Sequence, residues 1–195
     1  HIQDRDLKVL RQIVKTKLNL EMANNKDIIK LALSEIHPDM ITLVPEKRQE
    51  LTTEGGLDVI SNSQSLSETI ELFRSNHILV SLFIDPDPAQ IKEAGRIKAE
   101  FIEIHTGKYA ESKTEESMLA EMENIENTIK TADKLGLRIN AGHGLNYKNV
   151  IPLARFQLIE EFNIGHSIIS RAVLVGLDKA VREMIDAIRY GEEIL

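Results

Sequence analysis

Cysteine and tryptophan are absent from this sequence, and aromatic residues make up only 4% of it. The lack of thiols excludes disulfides, thiolate metal sites and a cysteine nucleophile, and it fits a reducing, cytoplasmic location. No apolar run approaches the roughly 20 residues of a membrane-spanning helix, so no membrane partner is expected. No histidine or carboxylate spacing is typical of a metal site, so no metal is predicted.

Acidic residues outnumber basic ones, with 31 Asp and Glu against 24 Lys and Arg and a formal net charge of −7. Non-specific nucleic-acid binding requires a basic face, so no nucleic-acid partner is expected. A small anionic ligand is not excluded, because it responds to the donors around it rather than to the total charge.

The chain of 195 residues is long enough for one domain with a substantial core. Short β-rich runs alternate with helical patterns, the clearest helix lying at about residues 114–135, where apolar residues follow a 3.6-residue spacing. No linker-like stretch interrupts the alternation, so a single domain over residues 1–195 is expected. The predicted strands are residues 17–22, 40–45, 79–85, 101–106, 138–141 and 161–164.

Strict alternation of strands and helices predicts a parallel sheet, either an open doubly wound sheet or a closed barrel. The first strand is not followed by a G-x-G-x-x-G motif, which disfavours the dinucleotide-binding form of the open sheet. We therefore predict an α/β fold of the (β/α)8 TIM-barrel type. Six βα units are recognisable and a full barrel needs eight, so the first two strands are expected to be missing and the domain to be N-terminally incomplete.

Charged side chains lie near the carboxyl ends of two predicted strands. Glu21 shares a strand face with Asn19, and Glu103 shares one with His105, while apolar residues occupy the opposite faces. Because an unpaired buried carboxylate is costly, these groups must be paired, protonated or solvated. An interior polar layer bridged by Lys or Arg is one explanation; a functional site is the other, and two strands with carboxylates at the same end favour it.

Two glycine–histidine elements follow the last two predicted strands. His143 lies between Gly142 and Gly144, where the backbone can approach a ligand closely and an imidazole can act as acid or base. Gly165 and His166 stand at a helix start, where backbone N–H groups can bind an anion. Taken singly, each element can also be an ordinary turn. Barrel enzymes commonly bind phosphate in these two loops, so a phosphate site is predicted.

The connection over residues 44–58 is long, polar and contains glycine. Long loops on the catalytic face of a barrel often serve as binding loops, and Thr52 or Thr53 is a candidate to bond a substrate hydroxyl or phosphate. A solvated surface connection is the alternative.

Several segments in the same order closely resemble the pyridoxine 5′-phosphate synthase family, and the resemblance covers nearly the whole chain. Five motifs and the opening residues carry it, namely LVPEKR at 43–48, TTEGGLD at 52–58, FIEIHTG at 101–107, NAGHGL at 140–145, FNIGH at 162–166 and HIQDRD at 1–6.

The resemblance implies a (β/α)8 barrel with extra helices that assembles as a homo-octamer. It implies the condensation of two phosphorylated small molecules, 1-deoxy-D-xylulose 5-phosphate and 3-amino-2-oxopropyl phosphate, without a cofactor. By resemblance, Glu21 is the general base, His143 the proton donor and Glu103 the carboxylate that stabilises the transition state. The implied contacts to the amino-ketone phosphate are Gly144, Gly165 and His166, and those to the deoxyxylulose phosphate are His1 and Thr52.

The sequence also departs from the family pattern. Catalytic and phosphate-binding residues of the family's first two strands have no counterpart in this chain, and Lys148 stands where several relatives have histidine. We therefore expect the 195-residue polypeptide alone to be inactive and its parent protein to be an enzyme. Two other functions remain open, another phosphate-binding barrel enzyme or a non-catalytic ligand-binding barrel. Phosphate release only in the presence of both phosphorylated ketones distinguishes the synthase from both.

Overall fold

The computed structural model describes residues 2–46 and 55–194, in which strands and helices alternate. The strands are β1 Asn19–Ala23, β2 Met40–Val44, β3 Leu79–Ile84, β4 Phe101–His105, β5 Arg138–Gly142 and β6 Ile159–Asn163. The helices are α1 Asp4–Ile13, α2 Lys26–Leu31 with a π-helical continuation Ala32–Ile36, α3 Ser63–Ser75, α4 Pro88–Arg96, α5 Gly107–Glu111, α6 Glu115–Lys134, α7 Val150–Ala154, α8 His166–Val175 and α9 Leu177–Glu193.

The described strands form one parallel sheet in the order in which they occur in the chain. All six predicted strands are therefore confirmed, with small shifts at their ends. The first begins at Asn19 because the N–H of Leu18 donates to the Asp39 carboxylate at 2.8 Å. The last begins earlier than predicted because Ile159 already pairs with Ile139, ahead of a register shift.

The sheet curls until its first and last described strands approach each other. Lys17, just before β1, places its Nζ 3.4 Å from Oε2 of Glu161 on β6. The six strands thus form a curled half-barrel within the described residues, and the alternative of an open doubly wound sheet is set aside. These six strands do not by themselves make up a closed eight-stranded barrel.

The two faces of the sheet differ in polarity. The outer face packs against the helices through branched apolar side chains such as Leu82, Ile102 and Ile104, which are fully buried. The inner face carries buried polar residues, and Asn19 and Thr42 bond each other across β1 and β2 there, with Asn19 Nδ2 3.0 Å from Thr42 Oγ1. The apolar core therefore lies between sheet and helices, and the inside of the curl is left for polar groups.

The longest described helix, α6, matches the predicted helix at 114–135 closely. Thr114 caps its first turn by accepting a hydrogen bond from the N–H of Ser117, and Gly136 ends it with φ +73°, a conformation that glycine adopts without strain. Among residues 2–46 and 55–194, each helix is too short or too polar to cross a bilayer.

Gly191 fixes how closely α9 approaches α7. A Cβ at this position would lie 2.5 Å from the carbonyl oxygen of Ile151 and 2.7 Å from Cβ of Ala154. Ala normally stabilises a helix interior relative to Gly by up to about 1 kcal/mol. Here we expect Gly191→Ala to destabilise the protein by about 1–3 kcal/mol, because the two helices must separate.

Gly95→Ala is the matched control, because a Cβ there would meet only the Leu135 side chain, at 3.4 Å. Urea unfolding should show a neutral or stabilising effect for Gly95→Ala and a lower midpoint for Gly191→Ala. Equal effects at both sites would contradict the close approach of α7 and α9.

Candidate active site

The carboxyl ends of the strands surround a cavity of about 660 Å³. The predicted site residues among its lining are Glu21, Glu103, His143, Gly144, Gly165 and His166. Side chains from the first and last described strands thus meet at one mouth of the curl, and the roles assigned to them stay predictions. His1 and Thr52, the other two predicted substrate contacts, lie outside the described residues.

Glu103 is the most deeply buried carboxyl group of the cavity, with only 2% of its surface exposed. Its described hydrogen-bond partner is Asn163 on β6, whose Nδ2 donates to Oε2 at 2.8 Å. Burial, with a smaller contribution from the negative charge of Glu21, raises the pKa of Glu103 to about 8. At neutral pH the group is therefore a protonated acid that can donate a hydrogen bond into the cavity.

Gly142 makes room for the Glu103 carboxyl group. The two residues lie on neighbouring strands, and a Cβ at Gly142 would collide with Oε1 of Glu103 and approach Cβ of Asn163 at 3.1 Å. Glycine at the end of β5 thus lets the acid and its amide partner reach each other across the intervening strand.

Glu21 projects from β1 into the open part of the cavity. Its neighbours in sequence have the opposite orientation, since Met22 is buried in the outer core and Leu20 packs against that core. The cavity walls withdraw solvent from the carboxyl group and raise its pKa above the ordinary value. A carboxylate with a raised pKa is a better proton acceptor near neutral pH.

The backbone of His143 adopts φ +80°, which is uncommon for a residue with a side chain. Thr106 supports this conformation: its N–H donates to the carbonyl of Gly142 at 2.8 Å, and its hydroxyl lies 2.6 Å from the carbonyl oxygen of His143. Gly144 follows with φ +73°, and a Cβ there would lie 2.6 Å from Cβ of Ala110. The turn therefore directs the His143 imidazole into the cavity. Glycine on either side of His143 leaves the space that this turn needs.

The His143 imidazole is half-buried, and its pKa is lowered from the usual range. Desolvation is the largest cause; the rings of His105 and His166 lower it further, while the carboxylate of Glu111 acts in the opposite direction. A lowered pKa makes the protonated ring a stronger acid, as suits a group that gives up a proton during a reaction.

The N-terminus of α8 forms another wall of the cavity. Gly165 is its N-cap and His166 its first residue, and no side chain among the described residues caps the first turn. A Cβ at Gly165 would meet nothing within 4 Å, so there is open space where the first N–H groups emerge. An anion placed there would accept hydrogen bonds from these groups.

Three polar residues of this region were not predicted as site residues. Asn163 faces Glu103, and its position on the inner face of β6 could have been found from the strand's alternation. Asp85 and His105 form a contact at 2.7 Å between the ends of β3 and β4. That pairing depends on strand order, which the sequence does not state. Within the described part of the chain, no group of three or more His, Asp or Glu side chains is arranged to hold a metal ion.

A sequence-family profile described as pyridoxal phosphate biosynthesis protein PdxJ matches residues 1–190. The chain belongs to the PdxJ family. Curated relatives named pyridoxine 5′-phosphate synthase include those of Geotalea uraniireducens and Geobacter sulfurreducens, each 60% identical over 191 residues that cover 98% of this chain and 80% of the relative. The relative from Gloeothece citriformis is 57% identical, and the alignment covers 78% of its length. The chain is therefore a member of a family of biosynthetic enzymes.

Solved structures of other proteins share the fold of this PdxJ chain at low sequence identity. The tryptophan synthase A-subunit of Pyrococcus furiosus aligns with a TM-score of 0.56 at 13% identity, over 98% of this chain and 71% of that one. The YdjI aldolase of Escherichia coli K12 aligns with a TM-score of 0.57 at 14% identity, over 97% and 71% of the two chains. These likenesses support a TIM-barrel-like fold and carry no functional argument.

The raised pKa of Glu103 predicts a pH-dependent stability of the PdxJ chain. Because the pKa rises from 4.5 to about 8 on folding, the folded state holds more protons than the unfolded state between these values. The free energy of unfolding therefore falls as pH rises through this window, by at most about 1.4 kcal/mol per pH unit. Glu103→Gln should abolish this pH-dependent loss of stability, because the glutamine amide resembles the protonated acid but does not titrate.

Thermal unfolding of the two proteins measured between about pH 5 and pH 9 tests this linkage. We expect the midpoint of Glu103→Gln to rise relative to the wild type with increasing pH and the difference to level off above the folded pKa. Glu126→Gln, on the exposed side of α6, is the control and should follow the wild type. Parallel curves for Glu103→Gln and the wild type would contradict a buried, protonated Glu103.

Proposed function

We propose that the protein is a pyridoxine 5′-phosphate synthase. It condenses 1-deoxy-D-xylulose 5-phosphate with 3-amino-2-oxopropyl phosphate to form pyridoxine 5′-phosphate, phosphate and water. The observation that carries the proposal is one cavity lined by the buried Glu103 carboxyl group, the more open Glu21 carboxyl group and the His143 imidazole, with the N-terminus of α8 as another wall. Membership of the PdxJ family and relatives at 60% identity support the same reaction.

The reaction needs groups that remove protons from the substrates and groups that donate protons to them. Glu21, His143 and Glu103 differ in their pKa shifts, so they suit different parts of this work. Glu21 is the general base, because its raised pKa and its access to the cavity suit proton removal beside a carbonyl or imine. His143 is the proton donor to departing oxygen atoms. Glu103 stabilises negative charge that develops on a substrate oxygen, and in its protonated form it does so by donating a hydrogen bond.

The amino-ketone phosphate is proposed to bind at the N-terminus of α8. The open space at Gly165 and the uncapped first turn that begins at His166 support this placement, together with Gly144 on the adjacent turn. A phosphate there gains the backbone N–H groups and the positive end of the helix dipole. His1 and Thr52 are proposed, from the family resemblance alone, to contact the deoxyxylulose phosphate.

The complete fold is proposed to be a single (β/α)8 barrel in which two further strands close the gap between β1 and β6. The parallel order of the six described strands and the cavity that their carboxyl ends surround support this, because a barrel has both features. A closed barrel would also explain why buried Ser81 and Asn140 side chains face inward without a hydrogen-bond partner among the described residues. Strands added to the curl would supply polar neighbours.

A homo-octamer is the proposed assembly, on the strength of the family resemblance. Exposed apolar side chains on α8 and α9, including Val173, Leu174 and Leu177, offer a surface for subunit contacts. A cytoplasmic location remains a prediction from the sequence.

Inorganic phosphate release by the purified parent protein, rather than by the 195-residue polypeptide alone, tests the reaction. We expect release and pyridoxine 5′-phosphate formation only when both phosphorylated ketones are present. Mixtures that lack either ketone are the controls. Phosphate release with one ketone alone would indicate a different phosphate-binding barrel enzyme, and the absence of any turnover would favour a non-catalytic ligand-binding barrel.

Substitution of the two cavity carboxyl groups should have unequal effects on kcat. Glu21→Gln removes a base and should reduce kcat by roughly 10²- to 10⁴-fold. Glu103→Gln keeps a hydrogen-bond donor in place of the protonated acid and should cost less, roughly 10-fold. Steady-state kinetics measure both, with Glu126→Gln as the neutral control. A larger loss in Glu103→Gln than in Glu21→Gln would reverse the proposed roles.

A further inference from the structure

His105, the last residue of β4, is buried beside the proposed proton donor rather than in contact with the open cavity. Only 5% of its surface is exposed. Its Nδ1 lies 2.7 Å from Oδ1 of Asp85, the residue that follows β3. Its ring packs against Phe83 on one side, with centroids 5.0 Å apart, and against His143 on the other, at 4.8 Å.

The contact with Asp85 fixes which ring nitrogen of His105 carries a proton. The pKa of Asp85 is lowered, chiefly by the hydrogen bond from His105, so the carboxylate is ionised and can only accept. Nδ1 of His105 is therefore the donor. The backbone of Gly56 also lowers the pKa of Asp85.

The rings of His105 and His143 meet edge to face, with an interplanar angle of 64°. Gly107 permits this arrangement, because a Cβ there would lie 2.6 Å from Nε2 of His105 and 3.1 Å from Cδ2 of His143. Thr106, between His105 and Gly107, bonds the backbone of His143. Three consecutive residues at the end of β4 thus support both the ring and the backbone of the proposed acid.

We propose that Asp85 and His105 are positioning residues, which hold the His143 imidazole at a fixed angle and in a fixed electrostatic environment for proton donation. This inference rests on the synthase reaction proposed above only for its kinetic consequences. Asp85 acts on His105 and His105 acts on His143, so neither needs to touch the substrate.

The charged and titratable groups around His143 decide in which direction its pKa should change when His105 is replaced. His105 from β4 and His166 from α8 lower its pKa, Glu111 from α5 raises it, and Glu21 and Glu103 line the same cavity. His105→Phe keeps a ring of similar size, and hence most of the desolvation, but removes the imidazole that lowers the pKa of His143 and leaves Asp85 without its partner. Both losses raise the pKa of His143.

The first measurement is an NMR titration of the His143 ring in the purified protein, with the signal assigned by its loss in His143→Asn. We expect an upward pKa shift in His105→Phe and a smaller downward shift in Asp85→Asn, because the second variant removes a negative charge near the ring. His77→Phe makes the same change at an exposed position between α3 and β3 and should leave the titration unaltered. An unchanged His143 titration in folded His105→Phe and Asp85→Asn would overturn the proposal.

Steady-state kinetics supply the second measurement. We expect kcat to fall roughly 10- to 100-fold in His105→Phe, with little change in KM for either ketone, because positioning rather than binding is lost. The alkaline limb of the kcat profile should move to higher pH, since the proton donor stays protonated longer. The double variant of His105→Phe and Asp85→Asn should be no slower than His105→Phe alone, because the two residues act in series.

The two proposals fail in distinguishable ways. Absence of turnover in the wild-type parent protein would reject the synthase function, and the NMR titration would then decide the positioning role. Normal wild-type turnover with additive losses in the double variant, or with KM raised in proportion to the loss of kcat, would reject the positioning role alone.

Discussion

The burial of Glu103 inside the curled sheet is the constraint around which the site is organised. A carboxyl group at this depth must be neutralised by a cation or protonated, and among the described residues its hydrogen-bond partner is the amide of Asn163. Burial favours the protonated form, and the amide N–H that Asn163 donates offsets this only in part. The arrangement depends on Gly142, since any side chain at the end of β5 would occupy the space of the carboxyl oxygen.

The residues that stabilise the fold and the residues of the candidate site lie on opposite faces of the same strands. The outer face supplies the apolar contacts with α3, α4 and α6 that bury most of the core, and the inner face is left free to hold polar groups that would weaken a core. Alternation along each strand makes this division possible: Ile102 and Ile104 face the helices while Glu103 and His105 face inward. Substitution of Glu103 therefore affects the site while the helix-facing contacts of Ile102 and Ile104 remain.

The cavity's acids and bases are tuned by different physical means. Burial dominates for Glu103, partial loss of solvent for Glu21, and desolvation together with neighbouring imidazoles for His143. The phosphate site proposed at Gly165 would use the helix dipole, since the described lining of the cavity contains no Lys or Arg. One pocket thus combines carboxyl and imidazole groups whose pKa values are shifted by different causes, which suits the condensation proposed above.

The sequence alone determined the elements and the faces on which their polar residues lie, because strand alternation and helical spacing are local properties. It located all six described strands within a few residues and singled out Glu21, Glu103, His143 and the Gly165–His166 turn. Only the tertiary structure decided which of these groups meet. The curl brings Glu21 of β1 into one cavity with Asn163 of β6, and the parallel order of β3 and β4 brings Asp85 to His105. Such contacts join residues far apart in the chain, and their geometry depends on sheet curvature and strand register, which no local pattern encodes.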